Sequence, residues 1–276
     1  MSHNGVDTSE LLELITESRL TGYLAVASLC ILVYDHIVCI ADEIELIWKS
    51  RWGMAKVIYL WNRYFCLLAI GLDTNAAVRE MENSIVCRQW SQIQGATCTM
   101  IIATVDFVLM FRVWIMYERR RSLILVFVAL TLGEIVIMAT IDSLAYNNMR
   151  EFVHLGPSLT GCHSYETPRF LSAAAATPVL IGFIMFVMTM YKCGITLRLG
   201  NFPATSMWKL FLRDGVLWFL GVSTVGVAVL VIWTLPNPKL KQLLIIPSLV
   251  VYSIVASRSM LNIKEAMLCE SVMVED

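Results

Sequence analysis

The sequence predicts an all-α polytopic membrane protein, a bundle of seven transmembrane helices with the N-terminus outside and the C-terminus cytoplasmic. Of the 276 residues, 58% are hydrophobic and only 16% are charged, whereas a soluble domain carries about a quarter charged residues. Seven apolar runs are each long enough, as helix, to cross a hydrocarbon core about 30 Å thick. Lys and Arg are unequally shared between the two sides these runs define. The mean hydropathy of +0.69 agrees with this class. A net charge of −1, from 21 Lys and Arg against 22 Asp and Glu, removes the broad basic surface of a nucleic-acid binder. With 14 Gly and 7 Pro, collagen-like and disordered classes are excluded as well.

Residues 1–20 hold four acids, one base and no small-residue cleavage site, so they read as an outer tail rather than a cleavable signal. Span one is read at 21–41. Span two, at 54–72, carries Lys56 and Arg63. Spans three to six are read at 95–117, 122–141, 170–191 and 213–235, and span seven at 240–261, with Arg258 near its end. Pro178 and Pro247 fall inside spans, where lipid-embedded helices tolerate kinks. The seven-span domain is therefore 21–261, followed by a cytoplasmic tail at 262–276. One side collects 12 Lys and Arg and the other 7, with Arg63 and Arg112 inside spans, and the richer side is expected to be cytoplasmic. The alternative is six spans, with 54–72 on the membrane surface and both termini on one side.

The segment YDHIVCIADEIELIW at 34–48, the RW at 51–52 and the NRY at 62–64 resemble the N-terminal signature of a fungal family of seven-helix membrane proteins. That family is known mainly as a domain of unknown function. The likeness continues in FRVWIMYERR at 111–120 and SRSMLNIKEA at 257–266. It implies a seven-span architecture and no established reaction. Lys264 stands where the family's last motif has arginine, which keeps the charge but loses the planar fork.

Of eight cysteines, only Cys87 and Cys162 fall in the expected outer loops. Their placement resembles that of many G-protein-coupled receptors, in which a disulfide ties an outer loop to the top of the third helix. The resemblance implies the same bridge here, and two unpaired loop cysteines are the alternative. Cys193, beside a span end, is either an ordinary interfacial thiol or a palmitoylation site.

Ionisable residues inside spans are costly and default to a functional reading with a named partner. Asp35 and His36 lie near the inner end of span one, Arg63 in span two, Asp106 and Arg112 in span three, and Glu134 in span four. By helical rise, Asp35 and Arg63 both sit about 9–10 Å deep, which predicts an intramembrane ion pair. Asp106 and Glu134 both sit about 16 Å above the inner boundary and are expected to face the bundle interior. They are read either as a proton-handling, catalytic or ligand-binding pair or as two neutral acids hydrogen-bonded nearby. Asp42, Glu43 and Glu45 read as an interfacial charge cluster or a docking surface. Arg119, Arg120 and Arg121 form a cytoplasmic basic cluster that enforces orientation or contacts anionic lipid or a cytosolic partner.

No histidine box, phosphate loop, nucleophile elbow or retinal-type lysine occurs, and no metal or cofactor is expected. Two function classes remain. The first is a receptor-like or signalling protein, with a small apolar ligand and a cytosolic partner. The second is an integral-membrane enzyme using Asp106 or Glu134 for acid catalysis, similar to fungal membrane terpene cyclases. The expected surroundings are the lipid bilayer, of the plasma membrane or an endomembrane.

Overall fold

The computed structural model describes residues 8–80, 83–117, 120–148, 160–162, 169–198, 206–234 and 242–275. They are helical almost throughout, as expected of runs whose backbone polar groups must be satisfied within each segment. The helices are α1 (Thr8–Val38), α2 (Ile40–Glu43), α3 (Met54–Leu60), α4 (Cys66–Val78), α5 (Ser84–Met116), α6 (Arg121–Asn148), α7 (Ser172–Arg198), α8 (Ser206–Thr234) and α9 (Ile245–Glu275). Two π-helical turns interrupt the series, Ile44–Trp48 after α2 and Trp61–Phe65 between α3 and α4.

Among the described residues five helical segments are long and apolar enough to cross a membrane: Leu12–Val38, Ser84–Met116, Arg121–Ala145, Ser172–Lys192 and Ile245–Glu265. The chain is thus a multi-pass membrane protein. The runs at 54–72 and 213–235 are not among the five. The first is divided into α3 and α4 by a π turn, and each piece alone is too short. The second is represented by Phe219–Thr234, a shorter apolar helix.

α5 and α9 form the interior. Of their apolar windows 56% and 67% is buried, against 17% for α6, whose remaining surface is left for lipid. α9 packs on α1, α4, α5 and α8, while α5 packs on α6, α7 and α9 and α1 lies along α4.

At one end of the bundle, residues 160–162 stitch three helices together. The Ser18 hydroxyl donates to the Thr160 carbonyl at 2.7 Å and accepts from the Thr160 N–H at 3.1 Å. The Gly161 N–H donates to the Arg79 carbonyl at 2.9 Å. Gly161 has φ 78°, a conformation open to glycine at little cost. Cys162 is disulfide-bonded to Cys87 on α5, with Cα atoms 5.5 Å apart. This is called the disulfide end below.

Candidate ligand cavity and buried charge network

α1 stops at Val38 because Cys39 leaves helical backbone, at φ −89° and ψ 2°, before α2 begins. The chain continues through α2 into the π turn at Ile44–Trp48, and Glu43 comes to lie buried in contact with side chains of α3 and the second π turn. There, in Trp61–Phe65, consecutive buried residues reach different neighbours. Asn62 Nδ2 donates to the Ser253 carbonyl at 3.1 Å and to Ser257 Oγ at 2.9 Å, both on α9. Arg63 reaches the opposite way, towards α1 and α2. π turns of this kind recur at functional sites.

Arg63 sits between two carboxylates, with Nε 2.8 Å from Glu43 Oε2 and Nη1 3.1 Å from Asp35 Oδ2. Its Nη2 donates to the Asp35 and His36 carbonyls at 3.2 Å each, beside the break in α1. Asp35 Oδ1 takes a second cation, Arg258 Nε of α9, at 2.8 Å. Glu43 also accepts from Tyr64 at 2.7 Å, Trp48 Nε1 at 3.0 Å and Tyr59 at 3.4 Å. Two acids and two bases therefore alternate as Glu43, Arg63, Asp35 and Arg258, and Glu43, Arg63 and Asp35 are fully buried. Desolvated ions are tolerable only with such complete pairing. His36 lies beside them, its Nδ1 2.8 Å from the Leu32 carbonyl and its Nε2 3.2 Å from the Arg63 carbonyl.

The structure thus brings Asp35 and Arg63 together and adds two partners that the sequence reading assigned elsewhere. Sequence proximity groups Glu43 with Asp42 and Glu45 at the boundary, but those two are exposed and Glu43 is buried. Nearby, Lys56 Nζ donates to the carbonyls of Trp48 at 2.9 Å and Ser50 at 3.1 Å, and Lys264 Nζ donates to Ser50 Oγ at 2.9 Å. Together they pin the connection before α3 onto α9. Buried Arg112 of α5 donates to Ser259 Oγ at 3.0 Å. Arg120 and Arg121 are exposed, and Arg119 lies outside the described residues.

The second polar region lies nearer the disulfide end. A partly open cavity of about 110 Å³ lies between α5, α6, α7, α8 and α9. Its wall is mostly apolar, with Gln94, Asp142, Ser248 and Tyr252 as polar exceptions. A narrower space of about 10 Å³ is lined by Asp106 and shares Ile102, Pro178, Gly226 and Tyr252 with the cavity. Gly226 permits this packing: a Cβ there would meet Val179 Cγ2 at 3.0 Å and Tyr252 Oη at 3.2 Å.

Asp106 and Glu134 are both buried and act on one another. Asp106 Oδ2 and both Glu134 oxygens have no donor, so their mutual contact is a hydrogen bond only when one of the two holds a proton. Asp142 Oδ2 accepts from the Thr99 hydroxyl at 3.4 Å. Asp73 is buried with Oδ2 unpartnered, and Cys98 of the cavity wall lies within electrostatic reach of both Asp73 and Asp142. Among the described residues no cation stands beside any of these four acids, and no three metal-ligating side chains converge. Asp73 and Asp142 escaped the sequence reading because each lies one residue beyond the apolar run that defined its span. Extending both helices by one turn would have found them.

Residues 23–68 match DUF6533, a family of unknown function. That segment carries Asp35, His36, Glu43, Asn62 and Arg63, so it supplies the whole of the charge network except the contacts from α9. No curated protein and no solved structure matches the chain.

Proposed function

We propose that the chain is a receptor-like membrane protein that takes a small apolar ligand in the cavity and passes its occupancy along α9 to the charge network. One observation carries this reading. α9 lines the cavity with Ser248, Leu249 and Tyr252, and from the next residue onward it holds Ser253, Ser257 and Arg258 in the polar network. Tyr252 and Arg258 are about 9 Å apart along the helix, so a shift that repacks one is felt at the other. In this reading residues 21–261 form seven spans, as in the fungal family that the sequence resembles. The excess of Lys and Arg then places residues 1–20 outside and 262–276 in the cytoplasm. The network lies at the cytoplasmic end, where Arg120 and Arg121 are available to anionic lipid or a cytosolic partner.

Acid catalysis by Asp106 and Glu134 is the second reading, favoured by two adjoining carboxyls whose oxygens lack donors. The cavity volume weighs against it. At about 110 Å³ it is smaller than the roughly 150 Å³ apolar cavity that accepts benzene, and an isoprenoid substrate needs several times more room.

The test is to incubate the purified protein with a cellular small-molecule extract, identify retained compounds by mass spectrometry, and follow hydrogen exchange over 253–264. A compound recovered with unchanged mass and slowed exchange in that stretch are expected. Conversion of the compound would establish the enzyme reading, and unaltered exchange would remove the coupling along α9.

A further inference from the structure

We infer that the ligand of this cavity carries a protonated amine on a small apolar body. The inference deepens the receptor-like reading and rests on it. The body follows from the wall, which is apolar over most of its surface and borders a volume suited to a handful of carbon atoms.

The charge follows from a contrast between the two ends of the protein. In the charge network each buried acid has an arginine, Asp35 with Arg63 and Arg258, and Glu43 with Arg63. Around the cavity Asp142 stands in the wall, Asp106 below it with Glu134 behind, and Asp73 beyond Cys98, and none has a cation among the described residues. Asp106 is 3% exposed and its Oδ2 has no donor. A proton shared by Asp106 and Glu134 gives that buried pair one hydrogen bond and no counter-charge, so a carboxylate forms there only when a cation arrives to face it. An ammonium supplies the missing positive charge and three N–H donors in one group, which a buried carboxylate needs and an apolar wall cannot provide. A neutral ligand brings no counter-charge to these acids, and an anion would be repelled by any of them that ionised.

The experiment uses three molecules with the same three-carbon skeleton, each smaller than benzene: propylamine, 1-propanol and propionate. Thermal unfolding of the full chain in detergent is followed against the concentration of each at neutral pH. Propylamine is expected to raise the melting temperature saturably while the alcohol and the carboxylate do not, since only a ligand that prefers the folded state stabilises it. Asp106→Asn combined with Asp142→Asn is expected to weaken the apparent affinity for the amine at least tenfold. Should the double variant not fold, Asp142→Asn alone serves, with a smaller loss expected in the same direction. Equal stabilisation by the alcohol would overturn the amine while leaving the cavity as a ligand site. Stabilisation by the amine that the substitutions do not diminish would overturn the role of the acids. No effect from any of the three would overturn this inference alone, because the extract experiment decides independently whether the cavity holds a ligand.

Discussion

Replacing Arg63 by methionine fills much of the same volume and removes both ion pairs of a fully buried guanidinium. The two carboxylates it leaves are not equally stranded. Asp35 keeps Arg258 at 2.8 Å, whereas Glu43 keeps only the neutral donors Tyr64, Trp48 and Tyr59. Removing one partner of a buried pair typically costs about 3–5 kcal/mol, and two carbonyls beside the break in α1 also lose their donor. A loss of about 4 kcal/mol corresponds to a fall in melting temperature on the order of 10 °C. Arg258→Met should cost no more than about 1 kcal/mol, because its side chain is 41% exposed and Asp35 retains Arg63. Exchanging the charges, with Asp35→Arg and Arg63→Asp together, would rescue an isolated pair. Here it should fail, since it sets an arginine beside Arg258 and a carboxylate beside Glu43. Thermal unfolding of the three variants in detergent measures all of this. Near-native stability of the double exchange, or Arg258→Met as damaging as Arg63→Met, would refute the four-charge arrangement.

Asp106→Asn and Glu134→Gln should each leave thermal stability unchanged or raise it by up to about 1 kcal/mol, because the acids they replace have buried oxygens without donors, and unfolding in detergent reads the sign. Gly226→Ala should cost about 1–3 kcal/mol and weaken amine binding, since its methyl would press on Val179 and Tyr252, and the same melting titration reports both effects. Cys87→Ser opens a bridge of sequence separation 75 and should cost about 4 kcal/mol in the loop-entropy account. In the unaltered protein neither Cys87 nor Cys162 should react with a membrane-impermeant maleimide until reduced. Asn62→Ala should cost about 1–3 kcal/mol by leaving the Ser253 carbonyl and the Ser257 hydroxyl without their donor, again read by unfolding.

Hydropathy was sufficient to place the five long apolar helices, and helical rise to compare charges along neighbouring helices, because both depend on residues close together in sequence. Asp35 and Arg63 could be matched in this way: a short connection joins their helices and their depths agree. For Asp106 and Glu134 the same reckoning yields equal distances from the shared boundary, but it does not determine whether their helices turn them towards one another. The same run of residues gave no sign that the helix would break at Cys39 or widen at Trp61–Phe65. Those two departures turn Glu43 away from Asp42 and Glu45 and into the bundle, and a uniform rise of 1.5 Å per residue contains no information about them. Arg258 joins Asp35 across 223 positions of sequence, and Asn62 meets Ser257 across 195. Contacts of that separation are set by which helix packs beside which, and composition does not express that order. The cavity belongs to the tertiary structure for the same reason. It exists because α5 to α9 meet around a glycine at 226 and leave a space, and no single helix carries the shape of the gap between five. That no cation stands beside the four acids around it, among the described residues, likewise depends on where the other side chains went.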